Sequence, residues 1–550
     1  MSGWKYAFSL SKAEVKDATP PGTVRLVDHH VHDKALEAGY SQPESPDSTS
    51  SSSNDEIVRF PKPSADPADP LNWASWRKVT LLLTASSYAF IGNFASSGLA
   101  PALQAYNTNF PTDPQPFSQL TQLVAVSILM MGASNIFWVP LSNIFGRRPV
   151  LLVATLLMTL SSMWGGLAPS FNSLLASRIF QGAGAGPSET TAPALIGEIF
   201  FLDSRGRAMA VYTTFLSLGS IIGGITGSYI AFHHGWAYVF WVSTALSAAC
   251  FVGMLLFVPE TLYSRRDEAS PRASRTQQDP SKVAETMHVE SFPQTNALSS
   301  QYRPFIFVRS LGFGAIQRGN TLACFVQPWK TLALPGTWVV MLHYAGLVGG
   351  IVTISTIGAQ LVSQPPYLWG ANSGLINVGP IIGALIGAAF TYISSDARFL
   401  GQAKHEGHGF AEPETRLPTS FPGLIIATSG LFVFGFCAQY PGPKVWVGLE
   451  VGYAMLSFGL MQVPSIDFNY LIDSYSHVAG DCFVIVTILR SIISFAWTYF
   501  VADWVAQKGP AEPFGIFGMM LGIFSLLTIP LWLFGKRMRI ATAGHLDIRY

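Results

Sequence analysis

Charge is scarce in this chain. Only 12% of its 550 residues are Asp, Glu, Lys or Arg, whereas soluble domains carry roughly a quarter. That scarcity argues against a soluble globular protein and for a polytopic membrane protein. The formal net charge is +1, so the balance of charge carries no nucleic-acid signal, and nucleic acid is not expected as a partner. Cysteine is equally sparse: Cys250, Cys324, Cys437 and Cys482 stand far apart, without disulfide or zinc spacing. No G-x-x-x-x-G-K-[ST] loop occurs, so direct use of ATP is not expected. No nucleophile–base spacing or metal cluster points to an enzyme, and neither cofactor nor metal is expected. The opening stretch "MSGWKYAFSLSKAEVKDATPPG" lacks a sustained apolar core and a small-residue cleavage site, so insertion is expected to begin at the first true span. The alternating strands of an outer-membrane barrel are missing too.

What remains is apolar. The chain is 49% hydrophobic, with 38 Phe and 14 Trp. Taking about 20 apolar residues per crossing, twelve spans are predicted, at 79–100, 119–141, 149–168, 172–199, 207–232, 236–258, 337–361, 371–393, 422–439, 445–468, 481–505 and 513–535. In lipid the backbone must satisfy itself, so these are helices. Basic clusters recur on one side: "WRK" at 76–78, "GRR" at 146–148, "DSRGR" at 203–207, the 259–336 segment and "KRMR" at 536–539. By the positive-inside rule that side is cytosolic, and with it both termini. The expected organisation is an all-α polytopic membrane protein in two halves. A flexible cytosolic tail (1–77) precedes a six-helix bundle (78–258). A cytosolic linker (259–336), a second six-helix bundle (337–536) and a short cytosolic tail (537–550) follow. The "DHHVHD" run (His29, His30, His32) reads as part of a solvated tail rather than a metal site.

Polar groups inside the spans are the functional candidates, since a central charge costs about 2.5–3.5 kcal/mol even on the lenient insertion scale. In "SRIFQGAGAGPSETTAPALIGE" (177–198), Arg178 and Glu189 lie about 20° apart around an ideal helix and about 16 Å apart along it. Gln181 shares their stripe, so this face is expected to line a polar cavity or a partner helix. Asn93, His343 and Asn377 are further cavity candidates. His343 can titrate near neutral pH or pack as a neutral, hydrogen-bonded group. Arg490 is either an anion contact or half of a structural pair. Asp467, Asp473 and Asp481, with Glu198 and Arg205, gather at helix ends, as gate latches or as solvated caps. Glu450, near the other end of its helix, is expected to be solvated.

"RIFQGAGAG" closely resembles the fourth-span motif R-x-x-Q-G-x-G of the major facilitator superfamily, and the resemblance covers nearly the whole chain. "NIFGRRPVLL" (143–152) is similar to the family's loop between spans two and three, usually G-x-L-A-D-R-x-G-R-R. Gly146, Arg147 and Arg148 match, but Asn143 replaces the Asp, Ile144 the following Arg and Val139 the leading Gly. The resemblance implies a loop that locks the cytosolic gate through charge pairs, here built differently or weakened. "LGSIIGGITGS" (218–228) resembles the antiporter motif G-x-x-x-G-P-x-x-G-G in Gly219, Gly223 and Gly227, with Gly224 in place of the proline and Ser228 in place of the last glycine. Glycines so spaced also serve plain helix packing. The Glu412-Pro413-Glu414-x-Arg416-Leu417 run resembles a fungal branch of twelve-span drug:proton antiporter-like carriers, a branch that also contains importers of small cations and nutrients.

The resemblance implies two bundles rocking about a midplane cavity walled by spans one, four, seven and ten, which favours Asn93 and His343 as lining groups. Low dielectric disfavours an ionised carboxyl, so Glu189 is the candidate proton carrier, tuned by Arg178 and assisted by His343. The expected function is proton-coupled export of a small organic compound, a drug or secondary metabolite, by a monomer in the bilayer. The family's habits favour the plasma membrane over the vacuolar membrane. A proton-coupled importer or facilitator of a small organic cation or nutrient is the alternative, and a transporter-shaped sensor a further one.

Overall fold

The computed structural model describes residues 3–11, 14–15, 18, 20, 23–25, 69–106, 113–262, 321–394, 410–475 and 478–546. The histidine run at 29–32 and most of the linker fall outside the described residues. Among the described residues, ten helices are long and apolar enough to cross a membrane. Two more polar helices of similar length complete twelve: Phe171–Ala185 continued by Pro187–Ile199, and Trp446–Ser474. The first of these carries Glu189 and the second Asp467 with Asp473.

The first half comprises span 1 (Ser75–Ser97), span 2 (Gln122–Ala133 and Asn135–Phe145), span 3 (Arg147–Gly166), span 4 as above, span 5 (Leu202–His234) and span 6 (Trp236–Phe257). The second comprises span 7 (Pro335–Ser363), span 8 (Gly370–Asn377 and Val378–Ser394) and span 9 (Phe421–Gln439). Span 10 is Trp446–Ser474, span 11 is Ala479–Lys508, and span 12 is Ala511–Leu526 followed by Thr528–Leu546. The two six-helix bundles meet where span 2 packs on span 11 and span 5 packs on spans 8 and 10. Burial separates wall from rim: span 7 is 83% buried over its apolar window, spans 6 and 12 only 33% and 28%. The exposed Leu255, Leu256, Ile523 and Leu526 of those rim helices are the surface a bilayer would cover.

Two local features shape the interior. Span 4 breaks at Gly186, and Pro187 begins its second segment. Proline supplies no N–H to the helical ladder, and it is tolerated at a first helical position where that donor has no partner anyway. Span 5 carries Gly219, Gly223 and Gly227 along its contact with span 1, where a Cβ on Gly223 would stand 2.7 Å from the Phe94 carbonyl oxygen. Backbones that close leave no room for a side chain, as small-residue packing in membranes requires. Gly224 faces the other half, where a Cβ would stand 2.7 Å from Asn377 Nδ2.

Segments outside the spans also pack. Gly3–Ser9 forms a helix against span 12, where Arg537 Nη1 donates to the Ala7 carbonyl at 3.2 Å. Val24–Arg25 pairs antiparallel with Phe410–Ala411, between spans 8 and 9. Thr321–Lys330 is helical and touches spans 2 and 11. The last helix runs on to Leu546, past the predicted end of span twelve.

Candidate functional site

Glu189 stands in span 4 two residues after Pro187, which supplies no N–H to the helical ladder. Its carboxylate pairs with Arg490 of span 11, and each side chain is only 1% exposed. The bond joins the two halves of the protein at the middle of the bundle. The Arg490 guanidinium also lies 4.8 Å from the centre of the Tyr344 ring, a cation–π contact strengthened by dryness.

These three residues wall a central cavity of about 30 Å3, together with Asn93, Ser97, Ser220 and Thr356 and the aliphatic Leu216, Ile351 and Leu460. That is room for a water or two, not for an organic molecule, so this is a closed form. Among the lining groups, Ser96 Oγ, the Tyr344 hydroxyl and Arg490 Nε are buried with no hydrogen bond to any of the described residues. The wall is therefore aliphatic with unspent polar groups grouped around one ion pair.

Arg178 takes no part in that pair. Its Nε donates to the Leu123 carbonyl at 3.0 Å, Nη1 to Ala95 at 2.7 Å and Nη2 to Ser96 at 2.7 Å. Nη1 also reaches Gln181 Oε1, and Gln181 Nε2 donates to Ser162 Oγ at 2.8 Å. The guanidinium thus ties spans 1, 2, 3 and 4 together inside the first half. The expected tuning of Glu189 by Arg178 is replaced by pairing with Arg490. Backbone carbonyls of spans 1 and 2, with Gln181, satisfy the Arg178 donors instead.

His343 is fully buried but does not line the cavity. Its Nδ1 lies 2.9 Å from Asp467 Oδ2, and its Nε2 lies 3.1 Å from the Phe524 carbonyl and 3.0 Å from Thr528 Oγ1. This polar knot holds spans 7, 10 and 12 together. Asn93 does line the cavity, with Nδ2 donating to Ala89 at 3.0 Å. Asn377 does not; its Nδ2 donates to Gly374 at 3.0 Å, beside Gly224. Glu450, expected in water, is half-buried and accepts the Gly379 N–H at 2.6 Å.

Both ends of the bundle are closed. At the end that carries the termini, Arg205 Nη1 of the first half pairs with Asp473 Oδ1 of the second at 3.1 Å, and Arg416 Nε meets Asp473 Oδ2 at 2.9 Å. Asp467, Asp473 and Asp481 are all buried there, so none is a solvated cap. At the opposite end, Tyr229 OH donates to Asn372 Oδ1 at 2.8 Å and Ser228 Oγ to the Ala371 carbonyl at 2.9 Å.

The loop between spans 2 and 3 is built without an Asp. Arg147 Nη1 donates to Asn143 Oδ1 at 2.8 Å and Nη2 meets Glu198 Oε1 at 3.1 Å. The carboxylate of Glu260 accepts the backbone N–H groups of Arg147 at 2.9 Å and Arg148 at 3.2 Å. Gly146, at φ +101°, turns the chain so that both donors face Glu260. Sequence reasoning missed Glu260; its signal is the "PET" run directly after span six. It also missed Tyr344, adjacent to His343, as a cavity group, and Arg539, which holds Glu412 and Glu414 at 2.6 and 2.7 Å.

Twelve helices in two bundles around a central ion pair define a membrane transporter fold. The family model of the Major Facilitator Superfamily matches residues 80–498, and the chain belongs to that superfamily. An uncharacterized transporter of Schizosaccharomyces pombe is 27% identical over 485 residues, covering 88% of this chain and 93% of its own. The efflux pump radE of Floropilus chiversii is 24% identical, over 86% of this chain and 83% of its own. Among solved structures, the proton:xylose symporter XylE superposes with a TM-score of 0.58 at 17% identity, over 84% of this chain and 96% of its own. At that identity the likeness concerns the fold alone.

Proposed function

We propose that the protein exports a small amphiphilic organic compound in exchange for protons, as a monomer with both termini in the cytosol, in the plasma membrane. The observation that carries this reading is the Glu189–Arg490 pair, a dry bolt between the two halves at the cavity wall. While Glu189 is ionised, the pair holds the halves in the closed form. A proton arriving on Glu189 cancels its charge, releases Arg490 toward the cavity, and lets the bundles rock apart. Loss of the proton on the other side restores the bolt. The hydroxyls and aliphatic walls around it suit a neutral or weakly charged amphiphile, and the name of the radE relative, an efflux pump, supports the direction.

Untargeted profiling of cells and medium, with the gene deleted and overexpressed, would identify the compound. Export predicts that it accumulates inside the deletion strain and falls in the medium; the opposite shift would make the protein an importer. Once the compound is known, proteoliposomes under an imposed pH gradient test the coupling. Glu189→Gln should abolish gradient-driven transport, and undiminished proton dependence in that variant would refute the assignment.

A further inference from the structure

A second, open recess of about 470 Å3 shares no lining residue with the central cavity and lies between the beginnings of spans 8 and 10. Its volume falls within the range of small-molecule pockets. Trp369, Trp446, Val378 and Ile382 form its apolar walls, and Asn372 and Glu450 its polar ones. The two indoles meet edge to face with centroids 5.8 Å apart. Glu450 Oε2 is occupied by the Gly379 N–H at 2.6 Å, and among the described residues Oε1 has no hydrogen bond and no cation pairs with the carboxylate.

Two readings compete. Glu450 could serve only to cap the first turn of Val378–Ser394, with the tryptophans as interface anchors. That explains the Gly379 bond, but not a ligand-sized recess in which a spare carboxylate oxygen shares the wall with two tryptophans. Aromatic faces and a half-buried carboxylate together attract a cation with an apolar body and repel an anion. We infer that this recess binds an organic ammonium ion bearing a short apolar tail, as a site distinct from the central cavity. Asn372 also accepts the Tyr229 hydroxyl across the two halves, so the bound cation sits against a contact that closes this end of the protein.

The test measures binding rather than transport, so it stands or falls independently of the proposed export. The full-length protein, purified in an uncharged maltoside micelle, is titrated with hexyltrimethylammonium by isothermal calorimetry, with 1-hexanol as the neutral control. Saturable one-to-one binding of the cation is expected, with none for hexanol. Glu450→Gln should weaken it at least ten-fold, while the amide oxygen still accepts the Gly379 N–H and preserves the Tm. Should that variant prove unstable, Trp446→Leu gives the same reading with the carboxylate intact, and a several-fold loss is expected. Undiminished binding in either stable variant would overturn the assignment. Displacement of the probe by equimolar phosphatidylcholine would overturn it too, by showing that the recess takes a lipid headgroup.

Discussion

The Glu189–Arg490 pair makes a prediction whose size follows from burial. Arg490→Leu leaves a carboxyl that is 1% exposed without its cation. Removing one partner of a buried pair costs about 3–5 kcal/mol while the survivor stays charged. The carboxyl can escape that cost only by taking up a proton. Against a reference carboxyl that ionises near pH 4.3, holding it neutral costs about 1.4 kcal/mol per pH unit, or about 4 kcal/mol at pH 7. Both routes therefore give a loss of about 4 kcal/mol at neutral pH. By the second route the loss shrinks to about 1 kcal/mol at pH 5. The sign is that of a group neutral in the folded state and ionised in the unfolded one: its stability deficit is absent at low pH and grows as pH rises. In the double variant Glu189→Leu/Arg490→Leu no buried charge remains, and replacement of a buried pair by apolar groups is often neutral or stabilising. The assay is thermal unfolding of the purified protein at pH 5 and pH 7.5. The single variant should lose several degrees at pH 7.5 and recover most of them at pH 5. The double variant should match the parent at both and transport nothing. Equal impairment at both pH values would mean that the surviving carboxylate stays charged; if Arg490→Leu is as stable as the parent at pH 7.5, the pair is not a bolt and the reasoning fails.

Other perturbations test the surrounding framework. Asp473→Asn removes the charge that Arg205 and Arg416 share, so spin labels across the two halves should report longer distances at the terminal end, with an unchanged population refuting a latch. Glu260→Ala deprives Arg147 and Arg148 of a backbone N–H acceptor. Charge-assisted hydrogen bonds are worth about 1.5–3 kcal/mol each, so a cysteine placed at Asn143 should react faster with a maleimide when Glu260 is lost. Gly223→Val drives a side chain into the Phe94 carbonyl; overpacking costs about 1–3 kcal/mol, visible as a lower Tm and a lower folded yield. His343→Gln should lower the Tm by loosening spans 7, 10 and 12 while transport stays proton-dependent, because His343 does not line the cavity.

Much of the architecture follows from local properties of the chain. Ten of the spans among the described residues follow from length and hydropathy alone, because lipid permits only helices and each needs a fixed length of apolar chain. The family is legible from short motifs whose residues act within one loop or one helix face, as in the Gly146–Arg148 turn and the row from Gly219 to Gly227. Glu189 and Arg490 could each be singled out, since a charge inside an apolar span is costly wherever it stands. Their pairing could not be, for they lie 301 residues apart on different halves, and helical periodicity says which way a side chain faces but not which helix waits there. Arg178 shows the same limit. Its partners are backbone carbonyls of neighbouring spans, and every residue has a carbonyl, so no residue type announces them. Glu260, just past span six, accepts the backbone N–H groups of Arg147 and Arg148, a contact that follows from spans 3 and 6 packing side by side. Sequence alone thus determined where the membrane is crossed and which charges must find partners. Tertiary packing decided which partners they found, because an ion pair in lipid is chosen by the geometry of the whole bundle rather than by any stretch of chain.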